Sequence, residues 1–215
     1  MSLYEQLRAK IPLAEQLRTR ASYRMNLRSA VRGLWTGEFS EADFTNQMQL
    51  VIDRGFRQAW KEGMEAVGLV FPDDMTGAEH NALLTAMINE YGFIGGFAAD
   101  IIAGSKANGG KLSPLMRRVD LWVKRYEGVK NQAKLSAEAD PVLQWNVHAD
   151  ESCTSCIKLD GQRRRASVWR EKLEVWPQHP ELECMESAGG PDVCKCTLDT
   201  TDQPPTRGRL PKWRT

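Results

Sequence analysis

The sequence predicts an α+β protein: a mostly helical N-terminal body over residues 1–140, then a small cysteine-rich, zinc-knuckle-like module of short strands over 141–215. Three observations predict it. Through the first two-thirds of the chain, apolar residues recur at three- and four-residue steps, the period of a helix with one buried face. That period stops near Asp140-Pro141, where short mixed stretches broken by Gly, Pro and Asp take over. All five cysteines, Cys153, Cys156, Cys184, Cys194 and Cys196, lie beyond that point.

The helical elements follow in order. After a break at Pro12, Leu13, Leu17, Arg24, Leu27, Val31 and Leu34 keep the helical step. Residues 33–39 read as a turn. Ser40 offers an N-cap with Asp43 three residues on, the spacing of a capping box. Behind it, Phe44, Met48, Val51, Ile52, Phe56, Ala59, Trp60 and Val67 lie on one side of a long helix. Residues 70–75, with Pro72, form a loop. Thr76 and Glu79 make a second capping box, opening a helix striped by Leu83, Met87, Tyr91, Ile94, Phe97 and Ile101. Gly92, Gly95 and Gly96 weaken that helix by about 1 kcal/mol each relative to Ala; the expected compensation is the close approach of another backbone. Residues 104–110 form a loop. Ser113-Pro114 is a start signal, a capping Ser with Pro at the first helical position, and Leu115, Val119, Trp122, Tyr126, Val129 and Ala133 form the stripe behind it.

Composition bounds the function classes. A chain of 215 residues is long enough for a buried core, and 41% hydrophobic with 27% charged residues is ordinary for a globular protein. A formal net charge of +1 gives no molecule-wide field toward nucleic acid or membrane, so an electrostatic partner must meet a local patch. The N-terminus lacks a basic stretch followed by an apolar run, so no secretory signal is expected. The most apolar stretch, residues 92–103, is shorter than the roughly 20 residues a bilayer span needs and contains Asp100. No membrane partner is therefore expected. Synthesis in the cytoplasm would keep the cysteines reduced unless a metal or late oxidation claims them.

The cysteine spacing points to metal chemistry. Cys153-Thr154-Ser155-Cys156 is a C-x2-C knuckle, whose two thiolates reach one tetrahedral ion from a single turn. Cys194-Lys195-Cys196 supplies more thiolates downstream, with Cys184 between them. Four of the five suffice for one structural zinc. Disulfides among them, and free thiols, are the alternatives. The knuckle does not sit in a βαβ pattern, which argues against a thioredoxin-like redox role. The module is small for a self-sufficient core, so a cross-link is physically useful there. Trp145, Trp169, Trp176 and Trp213 are expected to cover what core it has.

The stretch from Trp145 to Gln162, WNVHADESCTSCIKLDGQ, resembles the core of the Mu F-like minor head proteins of tailed bacteriophages: an aromatic strand, an acidic residue, C-x2-C and a Leu-x-Gly turn. The closing Pro191-Asp192-Val193-Cys194-Lys195-Cys196-Thr197-Leu198 is similar to that family's ending, His-Pro-x-Cys-Arg-Cys and a short hydrophobic strand. Lys195 stands where the family has Arg, and Gly190 where it has His. If that His is a ligand in relatives, Cys184 or His179 must take its place here, or the site is lost. The likeness is sharp over about 145–198 and loose over 20–140, where residues 32–44 carry it. The resemblance implies a structural, non-enzymatic virion protein, assembled at low copy in the head and docked on the portal or major capsid protein near the vertex.

Other constellations are weighed against it. Arg20, Arg24, Arg28 and Arg32, spaced by four, form a basic stripe on one helix. Its ordinary reading is a solvated face; its functional reading is contact with an acidic surface or packaged DNA. Arg163-Arg164-Arg165 and the tail residues Arg207, Arg209, Lys212 and Arg214 are read alike. A zinc-containing nucleic-acid-binding protein of the virion is thus the alternative, and a metal-dependent hydrolase the more distant one. Against the latter, there is no G-x-S-x-G, P-loop or H-E-x-x-H, and His80, His148 and His179 do not fit the ββα frame of an HNH-type nuclease.

Overall fold

A computed structural model describes residues 19–148, 152–179, 181–186 and 195–214. They form a helical N-terminal portion followed by a three-stranded antiparallel sheet region that carries a cysteine cluster. The chain divides into two compact units. The first takes the described residues up to Gln58 together with Leu84–Val123, and the second Ala59–Leu83 with Lys124 onward.

In the first unit, α1 (Arg20–Thr36) starts at Thr19, whose hydroxyl accepts from the Ser22 amide while the Ser22 hydroxyl accepts from the Thr19 amide. Tyr23, Leu27, Ala30, Val31 and Leu34 form its buried face. The helix runs to Thr36, through the stretch expected as a turn. Gly33 permits this: a Cβ there would lie 2.7 Å from the Phe39 ring, which folds back over the helix. The stop is Gly37, in the left-handed conformation at φ 81° with its amide on the Leu34 carbonyl. The expected Ser40–Asp43 box caps α2 (Glu41–Glu65), with the Ser40 hydroxyl donating to Asp43 at 2.7 Å and the Asp43 amide returning to it at 3.1 Å. Its buried residues in this unit are Phe44, Met48, Val51, Ile52 and Phe56.

The expected single helix over 76–103 is instead two, α3 (Gly77–Tyr91) and α4 (Ile94–Ala103). They part at Gly92-Phe93, where the poorest helix former short of proline interrupts the stripe. The expected role of the glycines does not appear at Gly95 and Gly96, whose Cβ positions face open space. Replacing each with Ala should therefore stabilise the protein by about 0.4–1 kcal/mol through a less flexible unfolded chain. Thermal melts of Gly95→Ala and Gly96→Ala check this, and a lower midpoint for both would contradict it. The α4 face that is buried, Ile94, Phe97, Ala98 and Ile101, packs into an aromatic run. Phe97 lies 6.2 Å from Phe44, edge to face, and 5.0 Å from Trp122.

Trp122 belongs to α5 (Leu112–Ser136), which begins just ahead of the expected Ser113-Pro114 start. Pro114 still falls in the first turn, where its missing amide proton costs no hydrogen bond. The arginine stripe is partly engaged within this unit: Arg24 and Arg28 both reach Asp120, at 2.8 and 3.4 Å.

In the second unit, the close backbone approach sits at Gly63 of α2. A Cβ there would overlap the Lys130 carbonyl and lie 2.6 Å from the Ala133 methyl. Glu62 beside it accepts from the Tyr126 hydroxyl at 2.5 Å and Lys130 at 3.1 Å. The Thr76–Glu79 box is present, with the carboxylate 2.8 Å from the Thr76 amide.

The chain leaves α5 through Asp140, at φ 46°, into the sheet. Strand order is β2-β1-β3, with β1 (Val142–Asn146) central, β2 (Arg163–Arg165) antiparallel on one side and β3 (Thr197–Thr200) antiparallel on the other. Leu143 and Trp145 of β1 and Leu198 of β3 face a core that also holds Leu159, Trp169, Leu173, Val175, Leu182 and Trp213. Trp176 packs against it partly buried, so the four C-terminal tryptophans do cover this core.

Candidate metal centre

The ends of β1 and its return turn build the site. Beyond Asn146, the Val147 amide donates to the Asp160 carboxylate at 3.0 Å. The Gly161 amide donates to the Trp145 carbonyl at 2.9 Å, and the Trp145 amide to the Gln162 carbonyl at 3.0 Å. Gly161 holds φ +68°, a conformation that favours glycine, so the Leu159-Asp160-Gly161 turn is fixed by its own sequence. These bonds clamp α6 (Thr154–Leu159) against the end of β1.

Cys153 occupies the N-cap of α6, where Ser or Thr is usual, and its sulfur accepts from the Cys156 amide at 3.4 Å. The C-x2-C spacing thus places one thiol at the cap and the other a turn later, on the same side. Beyond α7 (Ala166–Val168), the short helix α8 (Glu183–Glu186) brings the third. Its Glu183 carboxylate accepts from the Thr154 amide at 2.9 Å, tying α8 to the start of α6 and setting Cys184 beside the knuckle.

The sulfurs of Cys153, Cys156 and Cys184 all lie within 4.8 Å of one another. Those of Cys156 and Cys184 are 4.0 Å apart. Sulfurs of a tetrahedral zinc at bonds of about 2.3 Å stand about 3.8 Å apart, so a small contraction suffices. The donor set is all thiol, which suits a soft or borderline ion and not calcium or magnesium. Cys156 and Cys184 are buried and Cys153 half-buried. No disulfide joins Cys153, Cys156, Cys184 or Cys196. The residues present therefore fit a metal ion.

Of the five candidate cysteines, four of which suffice for one zinc, three converge among the described residues. Cys196 is buried in the same core as Cys156 and Cys184, and Cys194 lies outside the described residues. His179 does not join them. Its ring stands edge-on to Trp176 at 4.4 Å and to Trp213 at 5.9 Å, and its Nδ1 accepts from the Glu181 amide. Burial pushes its pKa down, partly opposed by Glu181. Of Cys184 and His179, the structure brings Cys184 to the knuckle. His148 is exposed and bonds to the Thr197 hydroxyl at 2.9 Å.

Two polar residues that shape the module carry no spacing signal. Lys134, buried at the end of α5, donates to the Leu198 carbonyl and lies 3.8 Å from Asp199. Burial lowers its pKa against the pull of Asp199. Burial works to raise the Asp199 pKa, but hydrogen bonds from Thr197 and Asn146 outweigh it and hold the carboxyl below its usual range. Arg164, grouped above with solvated or nucleic-acid-binding arginines, is instead buried. It donates to the Thr206 carbonyl, to the Gln162 side chain at 3.0 Å and to the Arg209 carbonyl at 3.4 Å. Strand alternation turns it inward between Arg163 and Arg165. Arg163 donates to Pro204 and Gln203, Arg165 to the Asp140 carbonyl, and Arg214 pairs with Glu181 and Glu174.

Compared with protein-family models, with curated proteins and with solved structures, the chain gives no match. No helix among the described residues is long and apolar enough to cross a membrane.

Proposed function

We propose that this chain is a structural minor head protein of a tailed phage particle, acting by docking and not by catalysis, with a C-terminal module clamped by one zinc. The observation that carries the reading is the joining of the motif's parts in one small unit. The aromatic strand, the C-x2-C knuckle and the Leu-x-Gly turn are held by direct hydrogen bonds, and the closing strand pairs with the first. This is the element order that the resemblance to Mu F-like proteins leads one to expect. The zinc supplies folding energy to a module of short elements, and a site filled by protein sulfurs has no position for an activated water. Its partners on this reading are the portal or major capsid protein.

The alternative, a zinc-containing nucleic-acid-binding protein, draws on the same basic clusters. The engagement of Arg24 and Arg28 with Asp120, of Arg214 with Glu174 and Glu181, and of Arg164 and Arg165 with backbone carbonyls weighs against it. It predicts DNA binding that falls steeply with salt.

The test is made on particles. Those purified from a culture expressing the chain should contain it at low copy, and deleting its gene should give defective or non-infectious particles. Its absence from purified particles, or normal assembly, packaging and infection without it, would overturn the reading.

A further inference from the structure

We infer that Cys196 is the fourth ligand, so that the metal ties strand β3 to the knuckle and to α8. The inference rests on the metal-centre reading above and adds the element that closes the ring of ligands.

The register of the sheet carries it. Asn146 pairs with Thr197 and Trp145 with Leu198, so one further step in the antiparallel register brings Cys196 opposite Val147. Side chains alternate along a strand, which places Cys196 on the same face as Leu198. That face belongs to the core that also holds Leu159 and Cys156, while Lys195 is exposed. Only 5% of Cys196 is accessible, and the core that encloses it also encloses Cys156 and Cys184. Val147 leads directly to the clamped start of the knuckle through its bond to Asp160. Cys196 thus emerges at the end of the sheet from which α6 hangs. Among the described residues three thiols lie within 4.8 Å of one another with Cys196 outside that group, and a structural zinc takes four ligands, so the Cys196 sulfur closes in when the ion binds.

This arrangement gives the metal a topological role. Cys153 and Cys156 belong to the segment between β1 and β2, Cys184 to the helix before the closing strand, and Cys196 to that strand's entry. One ion bound by all four would lock β3 in register against β1, where a one-residue slip would turn Leu198 outward.

The experiment uses the full chain loaded with zinc. X-ray absorption should count four sulfurs around the ion. In Cys196→Ser the count should fall to three with one lighter ligand, while Cys194→Ser should keep four. To cover a variant that fails to fold, alkylation of the wild-type chain is followed by mass spectrometry as a chelator is added. Cys196 should be protected with zinc bound and become reactive in step with Cys153, Cys156 and Cys184. Four sulfurs retained in Cys196→Ser, or alkylation of Cys196 while the other three stay protected, would overturn the inference and leave the metal centre standing. A wild-type chain that binds no zinc would instead overturn the metal-centre reading itself.

Discussion

Replacing Cys156 with Ser should abolish metal binding and unfold the sheet module while leaving the first helical unit folded. Cys156 is 1% exposed and stands 4.0 Å from the Cys184 sulfur, so it cannot be replaced by a neighbouring side chain without rebuilding α6. A serine hydroxyl is a poor ligand for a soft site, and buried there it gives up its hydrogen bonds to water at a cost of about 1–3 kcal/mol. The metal term is larger. Structural zinc binding contributes about 10–16 kcal/mol to small metallo-domains, against a total stability of about 5–15 kcal/mol for an ordinary domain. Losing even half of it exceeds what the small core can supply. Metal analysis should fall from about one ion per chain to none. Fluorescence should shift to the red as Trp145, Trp169 and Trp213 become exposed, while circular dichroism keeps most of its helical signal. That signal comes largely from helices whose core, with Tyr23, Phe44, Phe56 and Phe97, contains no cysteine. Cys153→Ser should act the same way, as should a strong chelator on the wild-type chain. A Cys156→Ser variant that keeps its ion and its unfolding midpoint would refute the clamp.

The starts of α2 and α3 were legible because two independent signals agree at each. Ser40–Asp43 and Thr76–Glu79 announce starts, and the apolar stripes behind them are the residues that become buried. Where only one signal spoke, the reading slipped. The stripe runs unbroken from Leu83 to Ile101 in sequence, yet the helix divides at Gly92-Phe93, because a period alone does not weigh a local glycine. Within the turn expected over residues 33–39, the chain turns at Gly37, while Gly33 stays helical and serves the packing of Phe39. No pattern in one sequence separates a glycine needed for its φ from one needed for space.

The thiol cluster was legible to the level of residue type and no further. C-x2-C spacing predicts that Cys153 and Cys156 share a turn; nothing in the spacing says that Cys184, and not His179, comes to meet them. That choice is made by Glu183, whose carboxylate bonds to the Thr154 amide, and by the tryptophans that hold the His179 ring. Both are tertiary facts. The basic clusters misled for a related reason. Charge predicts a solvated face, but Arg164 sits on an inward strand position with backbone carbonyls within reach of its guanidinium, so its charge is solvated by the fold.

Two buried tryptophans should respond differently to the same change. Trp145 and Trp169 are both fully buried, with ring centroids 5.7 Å apart. The Trp169 indole donates to the Leu143 carbonyl at 3.1 Å, whereas the Trp145 indole nitrogen is buried without a partner among the described residues. Truncating either to Ala removes a large ring from the core and should cost about 3–5 kcal/mol. Replacement by Phe separates the packing from the hydrogen bond. Trp169→Phe loses both ring volume and the indole bond, while the Leu143 carbonyl keeps its place opposite Arg164 in the β1–β2 ladder, so the lost bond adds about 0.5–1.5 kcal/mol. Trp145→Phe loses ring volume but also removes a buried donor that was already unpaired, which offsets part of the loss. Trp169→Phe should therefore lower the denaturant midpoint of the zinc-loaded protein clearly more than Trp145→Phe, although the two sites are equally buried and the volumes removed are the same. Equal shifts, or a larger one for Trp145→Phe, would show that packing alone governs this core and that the Trp169–Leu143 bond adds nothing.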